Sequence, residues 1–184
     1  MGGGIRKRPA LKLALVGISA ATLECGKLAL SALPNIEIVT LLVALYSYCF
    51  GAVGVMAAVI FVCIEPMIYG FGSWVLLYFI YWPALALTFA ALGRLCVKSR
   101  IAITATAVGA TVLFGVLSSL IDVGLFSGSF ENLFYRFGVY YLRGIPFYLA
   151  QIITNAALFP LLFRPLSARL SRLYRHLTHG GQKI

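Results

Sequence analysis

The amino-acid sequence predicts an all-α integral membrane protein with six transmembrane helices and cytoplasmic N and C termini. Of its 184 residues, 61% are hydrophobic, and only 15 Lys or Arg and 5 Asp or Glu carry charge. Apolar runs continue for about 20 residues or more without the alternation of polar and apolar residues that marks a transmembrane β-strand. Basic residues cluster where these runs end. The composition therefore excludes a soluble globular domain, and the pattern excludes a β-barrel.

Four apolar runs each have the length of one transmembrane helix. They span residues 10–33, 72–93, 101–124 and 138–163. The remaining run, 36–66, forms either one long span or two short helices that meet near Gly51 and Gly54. Only two helices put all three basic clusters on one side of the membrane, as the positive-inside rule requires. We predict the two-helix form, in which each half has about 15 residues, about 22 Å of helix, so that a thinned bilayer or a partly sunken loop makes up the difference.

The basic clusters lie at residues 6–12, 94–100 and 164–183. Nucleic-acid binding would require this charge on one folded face, and we predict no nucleic-acid partner. Residues 1–165 form the predicted membrane domain, and 166–184 form a basic amphipathic tail. We expect the apolar side of the tail to lie on the anionic inner leaflet of the membrane. Its members are Leu166, Leu170, Leu173, Tyr174 and Leu177.

Sequence motifs for catalysis, nucleotide binding and metal binding are missing. The four cysteines lack a CxxC spacing and are typical of small packing residues. His176 and His179 lie in a basic tail, where a lone HxxH pair is usually solvated. The first apolar run is not a cleaved secretory signal, because Glu24 and Lys27 interrupt it. We therefore predict no metal, no cofactor and no enzymatic activity.

Most of the acidic side chains fall at the predicted external ends of helices or in external loops. A charge near a membrane requires water, a partner charge or a ligand, so their position indicates an outward-opening polar cavity. Loop solvation and Glu–Arg pairing explain single members equally well. The polar residues concerned are Glu37, Glu65, Asp122, Glu131, Arg136 and Arg143.

We expect two of the predicted helices to line this cavity, each with one face. Trp74, Tyr78 and Trp82 recur every fourth residue and form an aromatic stripe that reaches about two turns inward, farther than an interfacial aromatic belt. Gly144, Tyr148, Gln151 and Asn155 share a face of the last transmembrane helix. The two amides need hydrogen-bond partners inside the bilayer, from a ligand or from other helices.

Small residues recur on successive turns of the first helix, at Ala10, Ala14, Gly17 and Ala21. Such residues allow a second helix to approach closely. The pattern predicts either contact with a membrane partner or packing within the bundle.

The chain resembles the substrate-binding S-components of energy-coupling factor (ECF) importers over nearly its whole length. Three segments carry the resemblance: 32–43 with the sequence ALPNIEIVTLLV, 65–72 with the sequence EPMIYGFG leading on to Trp74, Tyr78, Trp82 and Pro83, and 144–147 with the sequence GIPF followed by Asn155 and Pro165. The small-residue spacing from Ala10 to Ala14 is similar to the docking motif of that family. The chain departs from the family pattern at Pro66, Tyr148 and Gln151, in the region of the expected pocket.

The resemblance implies a multi-pass protein of a prokaryotic cell membrane. The subunit would bind a vitamin or related micronutrient at the outer face and deliver it inward after associating with a transmembrane coupling protein and two cytoplasmic ATPases. It implies cobalamin as the first candidate ligand. The aromatic stripe favours a flat or bulky apolar group on the ligand. The residues expected to bind the ligand are Asn35, Glu37, Glu65, Tyr69, Trp74, Tyr78, Trp82, Arg143, Tyr148, Gln151 and Asn155.

Two alternatives belong to other functional classes. A solitary carrier driven by protons would use Glu24 and Lys27, one turn apart in the first helix, as its coupling site, although the pair also fits a simple neutralising contact. A non-transporting assembly protein would use its polar residues only to hold helices together. An intramembrane enzyme ranks last, because two tail histidines build no catalytic constellation.

Overall fold

The computed structural model describes residues 9–33, 36–125 and 131–179, and these residues form helices and short connections with no strand. The elements are α1 (Pro9–Ala29), α2 (Val39–Phe50), α3 (Ala52–Tyr69), α4 (Ser73–Arg94), α5 (Arg100–Gly124), α6 (Leu133–Leu158), a π-helical turn (Phe159–Phe163) and α7 (Arg164–His179). The all-α class predicted from the sequence is confirmed. Five helical segments are long and apolar enough to cross a membrane, and α2, with 12 residues, is shorter.

The chain reverses at each end of the bundle. We call the end with residues 30–33, 36–38, 70–72 and 131–132 the upper end, and the end with Gly51, residues 95–99 and α7 the lower end. Glycines with positive φ end two of the helices, because a side chain would strain that conformation. Gly51, at φ +60°, separates α2 from α3, and Gly70, at φ +79°, ends α3.

The stretch 36–66 therefore contains two helices, as the sequence predicted, with the break at Gly51. The two helices are unequal, since α2 has 12 residues and α3 has 18. They cross closely at Gly54, where an added Cβ would lie 2.3 Å from the carbonyl carbon of Tyr46 and 2.4 Å from the Ser47 nitrogen. Glycine permits this approach because it presents no side chain to the facing backbone.

The short helix α2 lies at the centre of the bundle. It packs against α3 and α4 most extensively and also touches α1, α6 and α7. Eight of its residues are buried, and the side chains of Leu41, Val43 and Leu45 are almost completely inaccessible. A helix that is apolar on all sides requires such surroundings. The buried core joins α2 to Phe61 of α3 and Phe89 of α4.

The last three elements form one continuous helix of 46 residues, Leu133–Thr178. It begins five residues earlier than the predicted run 138–163, and the domain boundary predicted at residue 165 falls inside it. Three members of the apolar side of the tail contact the bundle. Leu166, Leu170 and Tyr174 are partly buried against it, and the Tyr174 ring lies 5.0 Å from that of Phe50 in α2.

Candidate functional site

A cavity of about 80 Å³ lies within the upper half of the bundle, between α1, α2, α3, α4, α5 and α6. Aromatic rings form much of its wall, and charged, hydroxyl and amide groups form the rest. Its lining residues are Lys27, Glu37, Val39, Thr40, Phe61, Tyr78, Tyr81, Trp82, Thr111, Phe114 and Gln151.

The aromatic stripe predicted on α4 is continuous in the structure. Trp74 meets Tyr78 edge to face with ring centroids 5.2 Å apart, and Tyr78 meets Trp82 in the same way at 5.7 Å. Phe61 of α3 closes the inner end against Trp82 at 5.8 Å. Edge-to-face contacts fix ring orientation, so the stripe presents a preformed apolar wall.

Lys27 is the basic group of the site, although the sequence analysis did not assign it to ligand binding. Its ammonium forms an ion pair with the Glu65 carboxylate, which is completely buried, while the lysine side chain stays partly exposed. The ammonium also lies 4.3 Å from the ring centroid of Tyr69, 5.3 Å from that of Tyr78 and 6.0 Å from that of Trp74. A carboxylate and three rings therefore hold one cation, as cation–π attraction favours.

Glu24 lies one turn before Lys27 and is 7% exposed. The sequence suggested a neutralising contact between Glu24 and Lys27. In the structure Lys27 forms its ion pair with Glu65. The Glu24 carboxyl lies close enough to Glu65 and Lys27 to interact electrostatically with both, yet neither of its oxygens makes a hydrogen bond to the described residues. A buried carboxyl without a hydrogen-bond partner is costly, so this group is a weak point for stability or a functional group.

A network of polar side chains connects α2, α5 and α6 at the cavity. Glu37 accepts a hydrogen bond from the Thr40 backbone nitrogen at 2.8 Å and another from the Thr40 hydroxyl, and so caps the first turn of α2. The Asn155 amide donates to the Thr111 hydroxyl at 3.0 Å and, more weakly, to Glu37 at 3.4 Å. Asn155 is fully buried, and these bonds orient its side chain.

Several buried polar atoms around the cavity make no hydrogen bond to the described part of the chain. They are Trp82 Nε1, Asn155 Oδ1 and Glu65 Oε1, in addition to the two oxygens of Glu24. Buried polar atoms in proteins almost always have partners, and such exceptions concentrate at functional sites. Trp82 lines the cavity, whereas Glu65 and Asn155 lie behind its wall and contact the lining residues Lys27 and Thr111. The wall itself combines aromatic rings with a few polar groups, which is the composition of a small-molecule site.

Some of the other predicted site residues lie at the cavity, and others do not. Gln151 lines the cavity, and Tyr69 covers Lys27 from the upper end. Tyr148 is half-buried and packs against Gly115 and Gly144, with its hydroxyl 3.3 Å from that of Ser119, and does not line the cavity.

Arg143 and Asn35 are the two remaining predicted residues. Arg143 is exposed and also lies outside the cavity lining. Asn35 lies outside the described residues.

Sequence reasoning missed the lining residues that carry no distinctive pattern. Thr40, Thr111 and Phe114 are single polar or aromatic residues within apolar helices. Lys27 did carry a signal, because a lysine within an apolar helix requires a partner. The sequence left open which acidic residue would supply it.

The small residues of α1 face outward. Ala10, Ala14, Gly17 and Ala21 are all exposed, and no atom lies within 4 Å of the position that a Gly17 Cβ would occupy. The opposite side of α1, with Val16 and the neighbouring buried positions, packs on the bundle. The small-residue face is therefore not used for packing within the described chain.

Among the described residues, no group of three or more His, Cys, Asp or Glu side chains is arranged to hold a metal ion. The geometry of the cavity is suited to binding a small molecule through ring stacking and hydrogen bonds. No profile of a known protein family, no curated protein and no solved structure matches this chain significantly.

Proposed function

We propose that this chain is the substrate-capture subunit of an ECF-type importer, which binds a vitamin or related micronutrient and delivers it inward with an ATPase-driven partner module. The observation that carries the proposal is one cavity lined by Tyr78 and Trp82 of the aromatic stripe together with Lys27, Glu37, Thr111 and Gln151, and backed by the buried side chain of Asn155. The resemblance in segments 32–43 and 65–72 supports the same function.

The cavity favours a ligand with a flat apolar part and polar edges. Such a group would pack against the rings of Tyr78 and Trp82 and form hydrogen bonds with Gln151 and Thr111. The Glu37 carboxylate and the Lys27 ammonium, which Glu65 holds in an ion pair, would bind charged or strongly polar substituents.

The size of the cavity adds a requirement. Pockets for drug-sized ligands enclose about 300–1,000 Å³, well above the 80 Å³ present here, so a complete vitamin enters only if the cavity opens. Helix α6 is the wall best suited to move, since Asn155 is its only buried residue and it packs mainly on α5. Cobalamin, the first candidate from the resemblance, would demand the widest opening, and a smaller vitamin would demand less.

We place the upper end outside the cell and both termini in the cytoplasm of a prokaryote. This orientation follows the positive-inside rule, because the basic clusters at 94–100 and 164–175 belong to the lower end. Six membrane crossings then include α2, whose 12 residues extend about 18 Å, less than the hydrocarbon core. Bilayer thinning near Gly51 would accommodate it.

The exposed small-residue face of α1 is the proposed contact with a transmembrane coupling protein. Two cytoplasmic ATPases attached to that protein would supply the energy. Leu13 and Ile18 flank the face and are 71% and 63% exposed, which gives a partner helix apolar surface as well.

Native mass spectrometry of the protein gently solubilised from its host tests the proposal directly. A complex with a membrane protein and two ATPases, or a retained vitamin-sized mass, is the expected result. Gly17→Leu should remove the partner proteins and leave the ligand, whereas Trp82→Ala should remove the ligand and leave the partners. A protein that retains neither a partner nor any vitamin from a panel including cobalamin would contradict the proposal.

A proton-coupled carrier is the second candidate, and the buried, unpartnered carboxyl of Glu24 favours it. Glu24→Gln separates the two functions. In a carrier this substitution abolishes uptake, since the group that takes up and releases the proton is gone. In a capture subunit ligand binding stays nearly unchanged, and uptake continues to depend on the ATPases.

A further inference from the structure

A second cavity lies at the lower end, between α2, the connection before α5, α5 itself, the π-helical turn and α7. Its volume is about 220 Å³. Basic, hydroxyl and apolar side chains share its wall. The lining residues are Tyr48, Lys98, Ile103, Phe163, Arg164, Ser167, Ala168 and Ser171.

The two cations of this cavity have no acidic side chain of the protein near them. The sequence contains five acidic residues, and all of them belong to the upper half of the bundle or its loops. They are Glu24, Glu37, Glu65, Asp122 and Glu131. Lys98 and Arg164 are exposed at the cavity, so their charge is available to an external anion.

Local structure holds the backbone next to both cations. The Tyr48 hydroxyl donates a hydrogen bond to the Val97 carbonyl at 2.8 Å, which holds the backbone immediately before Lys98. Arg164 directly follows Phe163, whose buried ring lies 5.3 Å from that of Tyr48 and 5.8 Å from that of Phe89. The π-helical turn ends between these two residues, and such turns often occur at functional sites.

Two further features favour an anion. Ser167 and Ser171 are one turn apart on α7, and both line the cavity. The Ser167 hydroxyl donates to the Arg164 carbonyl at 3.1 Å, and a rotation of its hydroxyl about the Cα–Cβ bond would direct it, like that of Ser171, to a bound oxygen. Ile103 belongs to the first turn of α5, a 25-residue helix capped by Ser99, and the positive end of that helix therefore adjoins the cavity.

The apolar part of the wall indicates the source of the anion. Ile103, Phe163 and Ala168 would gain nothing from a free phosphate ion in water, but they suit the glycerol and first methylene groups of a lipid. Two residues close in sequence to the lining residues, Ile101 and Leu161, are also apolar, and they are 82% and 71% exposed. Basic pockets between transmembrane helices typically bind anionic headgroups. We infer that this cavity binds the phosphate group of an anionic membrane phospholipid through Lys98, Arg164, Ser167 and Ser171.

The test compares lipid binding by charge-matched variants of the full-length protein. Lys98→Ala with Arg164→Ala removes the two cations of the cavity. Arg172→Ala with Arg175→Ala removes two exposed cations of α7 that do not line it. Native mass spectrometry during titration with phosphatidylglycerol should show binding that is about tenfold to thirtyfold weaker in the first variant and nearly unchanged in the second. Phosphatidylcholine should bind all forms weakly.

Other outcomes would overturn the inference. Equal losses in the two charge variants would mean that the lipid responds only to overall charge. Displacement of phosphatidylglycerol by millimolar inorganic phosphate would identify a soluble anion as the ligand instead of a lipid. If the first variant fails to fold, Ser167→Ala with Ser171→Ala and the charge-preserving Lys98→Arg with Arg164→Lys take its place. The serine variant should bind phosphatidylglycerol more weakly than the parent protein does, and the charge-preserving variant should bind it about as well. Weaker binding by the charge-preserving variant together with unchanged binding by the serine variant would refute the site.

Discussion

The ammonium of Lys27 and the carboxylate of Glu65 are joined in an ion pair although they are 38 positions apart in the sequence. The pair ties α1 to α3 at the upper end, beside the rings of Tyr69 and Tyr78. Lys27 forms part of the wall of the aromatic cavity, and the Glu24 carboxyl lies close to both members of the pair.

Replacing Lys27 with Met should destabilise the protein by about 3–5 kcal/mol, because it leaves the buried Glu65 carboxylate without its partner. The double variant Lys27→Met with Glu65→Gln should lose much less, since no unpaired charge remains. Thermal and denaturant unfolding in detergent micelles would measure both. Lys12→Met, on the exposed side of the same helix, is the matched control and should change stability little. Equal losses in the single and the double variant would show that the pair is not coupled.

Replacing Glu24 with Gln should leave stability unchanged or raise it by about 1 kcal/mol. The substitution removes a buried carboxyl that has no hydrogen-bond partner and that lies near the Glu65 carboxylate. The unfolding midpoint of the variant, compared with that of the parent protein at several pH values, is the measurement. A large loss of stability would instead show that Glu24 is essential to the packing of α1.

Replacing Gly54 with Ala should destabilise the protein by about 1–3 kcal/mol, because the new Cβ would collide with the α2 backbone at Tyr46 and Ser47. Gly109→Ala is the control, since that residue is exposed on α5 and no atom lies within 4 Å of its Cβ position. The control should gain up to about 1 kcal/mol from the higher helix propensity of alanine. Similar effects of the two substitutions on the unfolding midpoint would contradict the close crossing of α2 and α3.

Replacing Asn155 with Leu should cost about 1–3 kcal/mol of stability and also weaken ligand binding about tenfold, since Thr111 and Glu37 lose a hydrogen-bond donor. Thr154→Val is the control on the same helix, because the Thr154 hydroxyl donates to the Ala150 carbonyl of α6 and to no other group among the described residues. Unfolding midpoints and the mass of retained ligand, measured on the same preparations, separate the two effects. A loss of stability with full ligand retention would favour the assembly-protein alternative.

The sequence predicted the parts of the fold that depend on hydrophobicity and chain length. Long apolar runs located α1, α4 and α5 to within a few residues, and the charge clusters led to the break near Gly51. The sequence did not predict that α6 continues into α7, because the basic residues after position 163 are typical of the end of a membrane span. The chain continues there through a π-helical turn instead, and the apolar side of α7 packs on α2.

The candidate site was predictable where a pattern repeats within one helix. The aromatic stripe of Trp74, Tyr78 and Trp82 follows from their spacing, as does the inward position of Asn155. Contacts between helices were not predictable in the same way. Lys27 has several acidic residues at the same end of the bundle, and only the packing of α1 against α3 selects Glu65.

The unbroken helix from Leu133 to Thr178 has a mechanical consequence. Its 46 residues extend about 70 Å, which exceeds the thickness of a bilayer. If the helix tilts as a rigid lever arm about one end, a change of about 5° displaces the other end by about 6 Å. Asn155 lies on this arm beside the aromatic cavity, and Arg164 lies on it beside the basic one. Movement that widens the first cavity is thereby transmitted along a single backbone to the second.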